Sequence, residues 1–165
     1  VNLGVREVDD IIYVELTSGG RSSVRVVYLV GARAPLHVTA VGKLYLAEDS
    51  KESLKDYARR TGLPGATPTS ITSLAALERE IDRVRRHGVA YDNEEIEQGL
   101  RCVAAPVRDD TGEMVAGLSV SAPAERYNPV CAALIKQTAD AISAAIGHGK
   151  PDGRRASAQV AALRQ

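Results

Sequence analysis

Apolar and polar residues follow two different rhythms along this chain. Leu3–Val8, Ile11–Ser18 and Val24–Val30 are runs rich in β-branched residues, broken by Asp9-Asp10 and by Ser18-Gly19-Gly20. Such runs favour strands, and such breaks favour turns. Consecutive strands joined this closely predict an antiparallel meander. The rhythm then becomes helical. Val38–Ala47 and Lys51–Thr61 predict short helices, the second closed by Gly62 and Pro64. Leu74, Leu77, Ile81 and Val84 form one apolar stripe, which predicts a helix over Ser73–His87 ending at Gly88. Val89–Asp92 reads as a short strand. Leu100–Arg108 and Met114–Ala122 read as longer ones, joined by a hairpin at Asp109-Asp110-Thr111-Gly112. Asn128-Pro129 opens a last helix that runs to about Ile146. Strands, helices, strands and a closing helix describe an α+β domain, an antiparallel sheet flanked by helices.

Composition narrows the class of molecule. A chain of 165 residues with 44% apolar and 25% charged residues suits one soluble globular domain. The expected domain covers residues 1–147, followed by a basic, flexible tail over 148–165. Lys+Arg and Asp+Glu both number 21, which removes any overall electrostatic case for a nucleic-acid partner. Cys102 and Cys131 match neither a zinc spacing nor a disulfide framework, so a reducing cytoplasm is expected. No secretion signal and no membrane-length apolar run is present in the sequence. An opening at Val1 directly on strand-like sequence reads as a fragment of a longer protein.

Candidate chemistry gathers in the second half. If the hairpin pairs Asp109 with Met114, Cys102 faces Ser121 and Ala104 faces Ser119. A thiol and two hydroxyls then share one sheet face, while Val103, Ala116, Leu118 and Val120 line the other. Two readings follow: the serines face solvent, or they floor a cavity. A second candidate is Pro35–Lys43, PLHVTAVGK, where Thr39 caps a helix whose first amides belong to Ala40, Val41 and Gly42. Open helix amides of this kind hold carboxylates or phosphates, although most capped helices bind nothing. His37 beside them is expected to order its loop. Asp92, Glu94, Glu95 and Cys102 form a weak metal pattern, and neither metal nor cofactor is expected. Arg101 points away from Cys102, towards surface ion pairing or an interface.

The segments PLHVTAVGKLYLA and RRHGVAYDNEEIEQGLRCVAAPVRDDTGEMVAGLSVSAP, with the Arg126 region, resemble the isocitrate-lyase-regulator (IclR) family of bacterial transcription factors over about Leu3–Ile146. The resemblance implies the C-terminal effector-binding domain, with a fold related to GAF and profilin-like sensors. It implies a small organic acid as effector, with its carboxylate on the amides of Ala40 and Val41. Asp92, Cys102, Ser119 and Ser121 then complete the pocket, so the cavity reading of the serines replaces the solvent-facing one. Two departures stand out: Val41 carries a branched side chain where small residues are common, and Asn93 occupies a position open to acidic residues. The family's N-terminal winged helix-turn-helix is absent from this chain.

The expected function is therefore a sensor of keto, hydroxy or aromatic carboxylates, with no catalysis and no membrane contact. Self-association as a dimer or tetramer is expected, and DNA contact only through the missing domain. Two competitors remain at this point. One is a thiol enzyme using Cys102, which lacks a histidine base in its strand or hairpin. The other is a dimerisation module with a vestigial pocket.

Overall fold

The structure, a computed structural model, describes residues 1–17 and 29–149. Among these, one six-stranded antiparallel sheet contains β1 (Asn2–Glu7), β2 (Asp10–Leu16), β3 (Arg33–Pro35), β4 (Ala90–Asn93), β5 (Leu100–Arg108) and β6 (Met114–Pro123). Their order across the sheet is β3-β2-β1-β6-β5-β4. Thus β1, from the start of the chain, pairs with β6, placing Asn2 opposite Ser119 and Gly4 opposite Gly117. The helices are α1 (Ala40–Glu48), α2 (Lys51–Thr61), α3 (Leu74–His87) and α4 (Val130–Ala145). The α+β class and the antiparallel sheet flanked by helices are as the sequence predicts.

Alternation along each strand assigns the two faces. Val103, Ala105, Val107 and Leu118 pack with Ile135 and Ala139 of α4. The opposite face supplies Ile11, Tyr13, Ala90 and Ala104, which pack with Val41, Leu44, Leu77 and Ile81 of α1 and α3. Each helix stops where its sequence allows. Gly62 and Gly88, after α2 and α3, adopt the left-handed conformation (φ 69° in both) and return amides to Ala58 and Val84.

Several expectations change in detail. The expected Val38–Ala47 helix is divided: Leu36–Val38 form a 3-10 turn, Thr39 is extended, and α1 begins at Ala40. Of the expected strand Val24–Val30, residues 24–28 lie outside the described residues, and Leu29 and Val30 are not in a strand. A strand absent from the sequence reading, β3, appears instead. It has three residues and ends in a proline, too short to show alternation. The hairpin pairs Arg108, not Asp109, with Met114, and a register shift between Val107 and Arg108 restores the expected pairs Cys102–Ser121 and Ala104–Ser119. That irregularity is a bulge: one extra residue on β6 re-aims the turn without moving the site.

The sheet face under α1 is nearly bare of side chains at its centre. A Cβ on Gly117 would lie 2.5 Å from Val41 Cγ1, and one on Gly4 3.3 Å from the same atom. The absence of those atoms lets α1 approach the sheet. Gly117→Ala is therefore expected to destabilise the domain by about 1–3 kcal/mol through overpacking. Combining it with Val41→Ala should cost less than the sum of the two single changes, as contacting sites do. Urea unfolding of the three variants checks this, and a neutral Gly117→Ala would contradict the close approach.

Candidate functional site

The start of α1 is built by local chemistry. The Thr39 hydroxyl accepts the Gly42 amide at 3.2 Å and donates to the Pro35 carbonyl at 3.0 Å. The Lys43 amide bonds the Thr39 carbonyl at 3.0 Å, as the first α-helical hydrogen bond. The amides of Ala40 and Val41 precede it and have no acceptor within the helix. Gly42 is required here, because a Cβ would lie 2.3 Å from the Leu36 backbone. His37 is fully buried, with Nδ1 2.8 Å from the Tyr57 hydroxyl and Nε2 3.0 Å from the Pro64 carbonyl. The carbonyl partner places the proton on Nε2, so Nδ1 accepts from Tyr57. Burial holds this imidazole below its ordinary pKa. His37 thus orders the loop before α1, as expected.

Four of the expected site residues share the sheet face beneath α1. Asp92, Cys102 and Ser121 form one cross-strand row over β4, β5 and β6, and Ser119 lies two residues from Ser121. Ser119 is only 3% exposed and Asp92 only 1%, so the solvent-facing reading does not hold for Ser119, while Ser121 is half-buried. The Cys102 thiol donates to the Ser121 hydroxyl at 3.1 Å. Val41, above them, turns its side chain onto Gly117 and Gly4, using the space that the two glycines leave.

Asn2 is a member of this cluster that the sequence reading missed. Its side-chain amide donates to Ser121 Oγ at 3.1 Å and approaches Ser119 Oγ at 3.5 Å. The available signal was a polar residue two positions before Gly4, on the same side of β1. Also missed was Lys43, fully buried, with Nζ 2.6 Å from Glu95, 3.8 Å from Glu80 and 2.7 Å from the Tyr91 carbonyl. A lone lysine within the otherwise apolar run AVGKLYLA of α1 was the sign of it.

Two groups have strongly shifted acidities. Burial pushes Asp92 up to about 6, against a 2.8 Å hydrogen bond from the Glu95 amide; the Glu95 charge adds to the rise and Lys43 opposes it. Burial pushes the Cys102 thiol up to about 12, and the Asp92 charge adds to this. A thiol so placed stays protonated at neutral pH, which removes the basis for nucleophilic catalysis. The acids once grouped as weak metal ligands have other partners: Glu95 pairs with Lys43, while Glu94 faces Arg101 at 3.5 Å and the Gly99 amide at 3.0 Å. Arg101 is thus in a surface ion pair, as expected. At the far end of α1, Leu44, Val84, Arg85, Pro106 and Arg108 line a groove of about 170 Å³. Its guanidinium groups are already engaged, Arg85 with the Ala47 and Asp49 carbonyls and Arg108 with Glu48.

The fold is that of an α+β domain with a sheet face of small and hydroxyl side chains packed under α1. Its family follows from comparison with known proteins. Residues 1–144 match the family described as bacterial transcriptional regulator IclR C-terminal, and the chain belongs to that family. The transcriptional repressor AllR of Klebsiella pneumoniae is 40% identical over 77% of this chain and 48% of its own length. The crystal structure of the C-terminal domain of the E. coli transcriptional regulator KdgR superposes with a TM-score of 0.77. It is 35% identical, covering 89% of this chain and 87% of that one. The inducer-binding domain of the transcription factor PobR from Acinetobacter, a double mutant in complex with 3-hydroxybenzoic acid, gives a TM-score of 0.78. It has 25% identity and 86% coverage of both chains. The chain spans about half the length of the curated relatives it matches. These relatives are named as regulators, not enzymes. Among the described residues, no helix is long and apolar enough to cross a membrane.

The Asp92 shift carries a stability consequence. The folded carboxyl titrates near 6 and the ordinary one at 3.8, so the folded state holds more protons between these values. Stability therefore falls as pH rises through this window, and the penalty is fully present above it. Asp92→Asn removes the buried charge while keeping an acceptor for the Glu95 amide. It is expected to raise stability at pH 7 by on the order of 1–3 kcal/mol and to reduce the loss on going from about pH 4 to pH 6. Urea unfolding as a function of pH measures both; an Asn variant less stable than the parent at pH 7 would contradict the assignment.

Proposed function

We propose that this domain senses a small organic acid and that the pocket is formed by Ala40, Val41, Asp92, Cys102, Ser119 and Ser121, with Asn2 as an added member. The observation that carries the reading is a set of hydrogen-bond donors without acceptors. Asn2 donates to Ser121 Oγ and approaches Ser119 Oγ at 3.5 Å, and the Cys102 thiol stands 3.1 Å from Ser121 Oγ, so each serine oxygen faces a donor. Among the described residues neither hydroxyl proton is given an acceptor. With the Ala40 and Val41 amides and the positive end of the helix dipole, they favour an anionic ligand. Asp92, in the same cross-strand row as Cys102 and Ser121, accepts a hydrogen bond from a ligand hydroxyl when ionised, and donates one to an oxygen when protonated. Cys102 supplies a small, unreactive wall. Keto, hydroxy and small aromatic carboxylates match this polarity, and the acid bound by the PobR domain belongs to the last group.

In the longer protein, effector binding would act through unequal affinity for two arrangements of a dimer or tetramer, read out by a DNA-binding domain outside this chain. A panel of pyruvate, glycolate and 3-hydroxybenzoate, with their uncharged amides as controls, tests the reading by thermal shift and calorimetry. At least one acid is expected to stabilise the domain, by about 2.7 kcal/mol at a hundred times its Kd, while its amide does not. Ser119→Ala and Ser121→Ala should each weaken binding by about 1 kcal/mol or more. Equal stabilisation by acid and amide, or binding indifferent to both serines, would refute the pocket.

A further inference from the structure

Beneath the residues that would touch an effector lies a buried charged layer that none of the contacts above explains. Lys43 Nζ donates to Glu95 at 2.6 Å and to the Tyr91 carbonyl at 2.7 Å. Tyr91 is the residue before Asp92, and the Glu95 amide donates to Asp92 Oδ1 at 2.8 Å. Lys43 also stands one helical turn after Ala40. One ammonium thus joins the strand carrying Asp92, the segment bonded to the Asp92 carboxylate, and the helix whose first amides form the opposite wall. Resting on the effector-site reading above, we propose that Lys43 and Glu95 are positioning residues for Asp92, fixing the distance between the acceptor wall and the amide wall of the pocket.

The surroundings of the pair favour this role. The segment holding Glu95 is fastened from outside: Thr67 and Thr69 each donate to the Glu94 carbonyl at 2.7 Å, and Ser70 donates to the Glu95 carbonyl at 2.5 Å. Glu94 is held in the left-handed region (φ 63°), which a non-glycine residue adopts only where its neighbours impose it. Glu95 Oε2 is buried without a partner, so the charge of this side chain is balanced through Oε1 alone. The charged and titratable groups around Asp92 are Cys102 from β5, Lys43 from α1 and Glu95 from the loop. Glu80 of α3 stands behind Lys43 and is itself paired with Arg83 at 3.3 Å. The Glu95 charge opposes ionisation of Asp92, and the Lys43 charge assists it.

The test is a carbon-13 titration of the Asp92 carboxyl in the whole chain without effector, so that it does not depend on any acid binding. Glu95→Gln should move the Asp92 midpoint to lower pH, Glu95→Asp should keep it near the parent value, and Lys43→Met should move it to higher pH. Asp82→Asn, an exposed change on α3, should leave it in place. If Lys43→Met does not fold, the two Glu95 variants decide. For any acid that binds the parent, the pH profile of its affinity should move with the Asp92 midpoint in Glu95→Gln. A folded Glu95→Gln chain with an unmoved midpoint, or a moved midpoint with an unmoved affinity profile, overturns the positioning role. Failure of every acid to bind would instead defeat the pocket reading and leave the titration result standing.

Discussion

The close approach of α1 to the sheet is the constraint on which the rest of this domain depends. Gly4 and Gly117 face each other on β1 and β6, with Ala104 and Ala90 carrying the small-residue surface on towards β4 and β5. Val41 occupies the space those residues leave. The contact packs α1 into the core on that side, and in the proposed site it brings the first amides of α1 towards the β6 hydroxyls. Packing and polarity are therefore one arrangement. The opposite face of the sheet shows the contrast, because its valines and leucine meet α4 in ordinary apolar contact.

In the proposed site, polarity is divided between two walls. Amides and serine hydroxyls present hydrogens, while Asp92 presents oxygens in a setting that raises its pKa to about 6. Cys102 lies between them as an un-ionised thiol, bonded to Ser121. Membership of the IclR C-terminal family agrees with a binding role for such a surface, and the matched relatives are regulators. A buried lysine with two glutamates behind the pocket is costly to desolvate and strongly coupled, so its members hold their places together.

Much of this was legible in the sequence, because local rules control it. Thr39 as a cap, Gly62 and Gly88 as helix ends, and the pairs Cys102–Ser121 and Ala104–Ser119 all follow from turn and cap chemistry over short separations. The hairpin count was one residue out at Met114, and the bulge absorbed the difference. What remained hidden depends on distant partners. The β1–β6 pairing joins residues more than a hundred positions apart, so Asn2 showed no link to the serines. The burial of Lys43 depends on Glu80 and Glu95 arriving from α3 and the loop after β4. Whether the serines faced water was likewise undecided by alternation alone, and the structure buries Ser119 while leaving Ser121 half-buried.

On the proposed reading, an anion docks between the start of α1 and the β6 hydroxyls. Amide chemical-shift mapping by NMR, with whichever small carboxylic acid stabilises the domain most, tests it directly. The Ala40 and Val41 amide protons are expected to move downfield and saturate together with shifts at Ser119 and Ser121. Shifts confined to the groove lined by Leu44, Arg85 and Arg108, with Ala40 and Val41 unmoved, would contradict it.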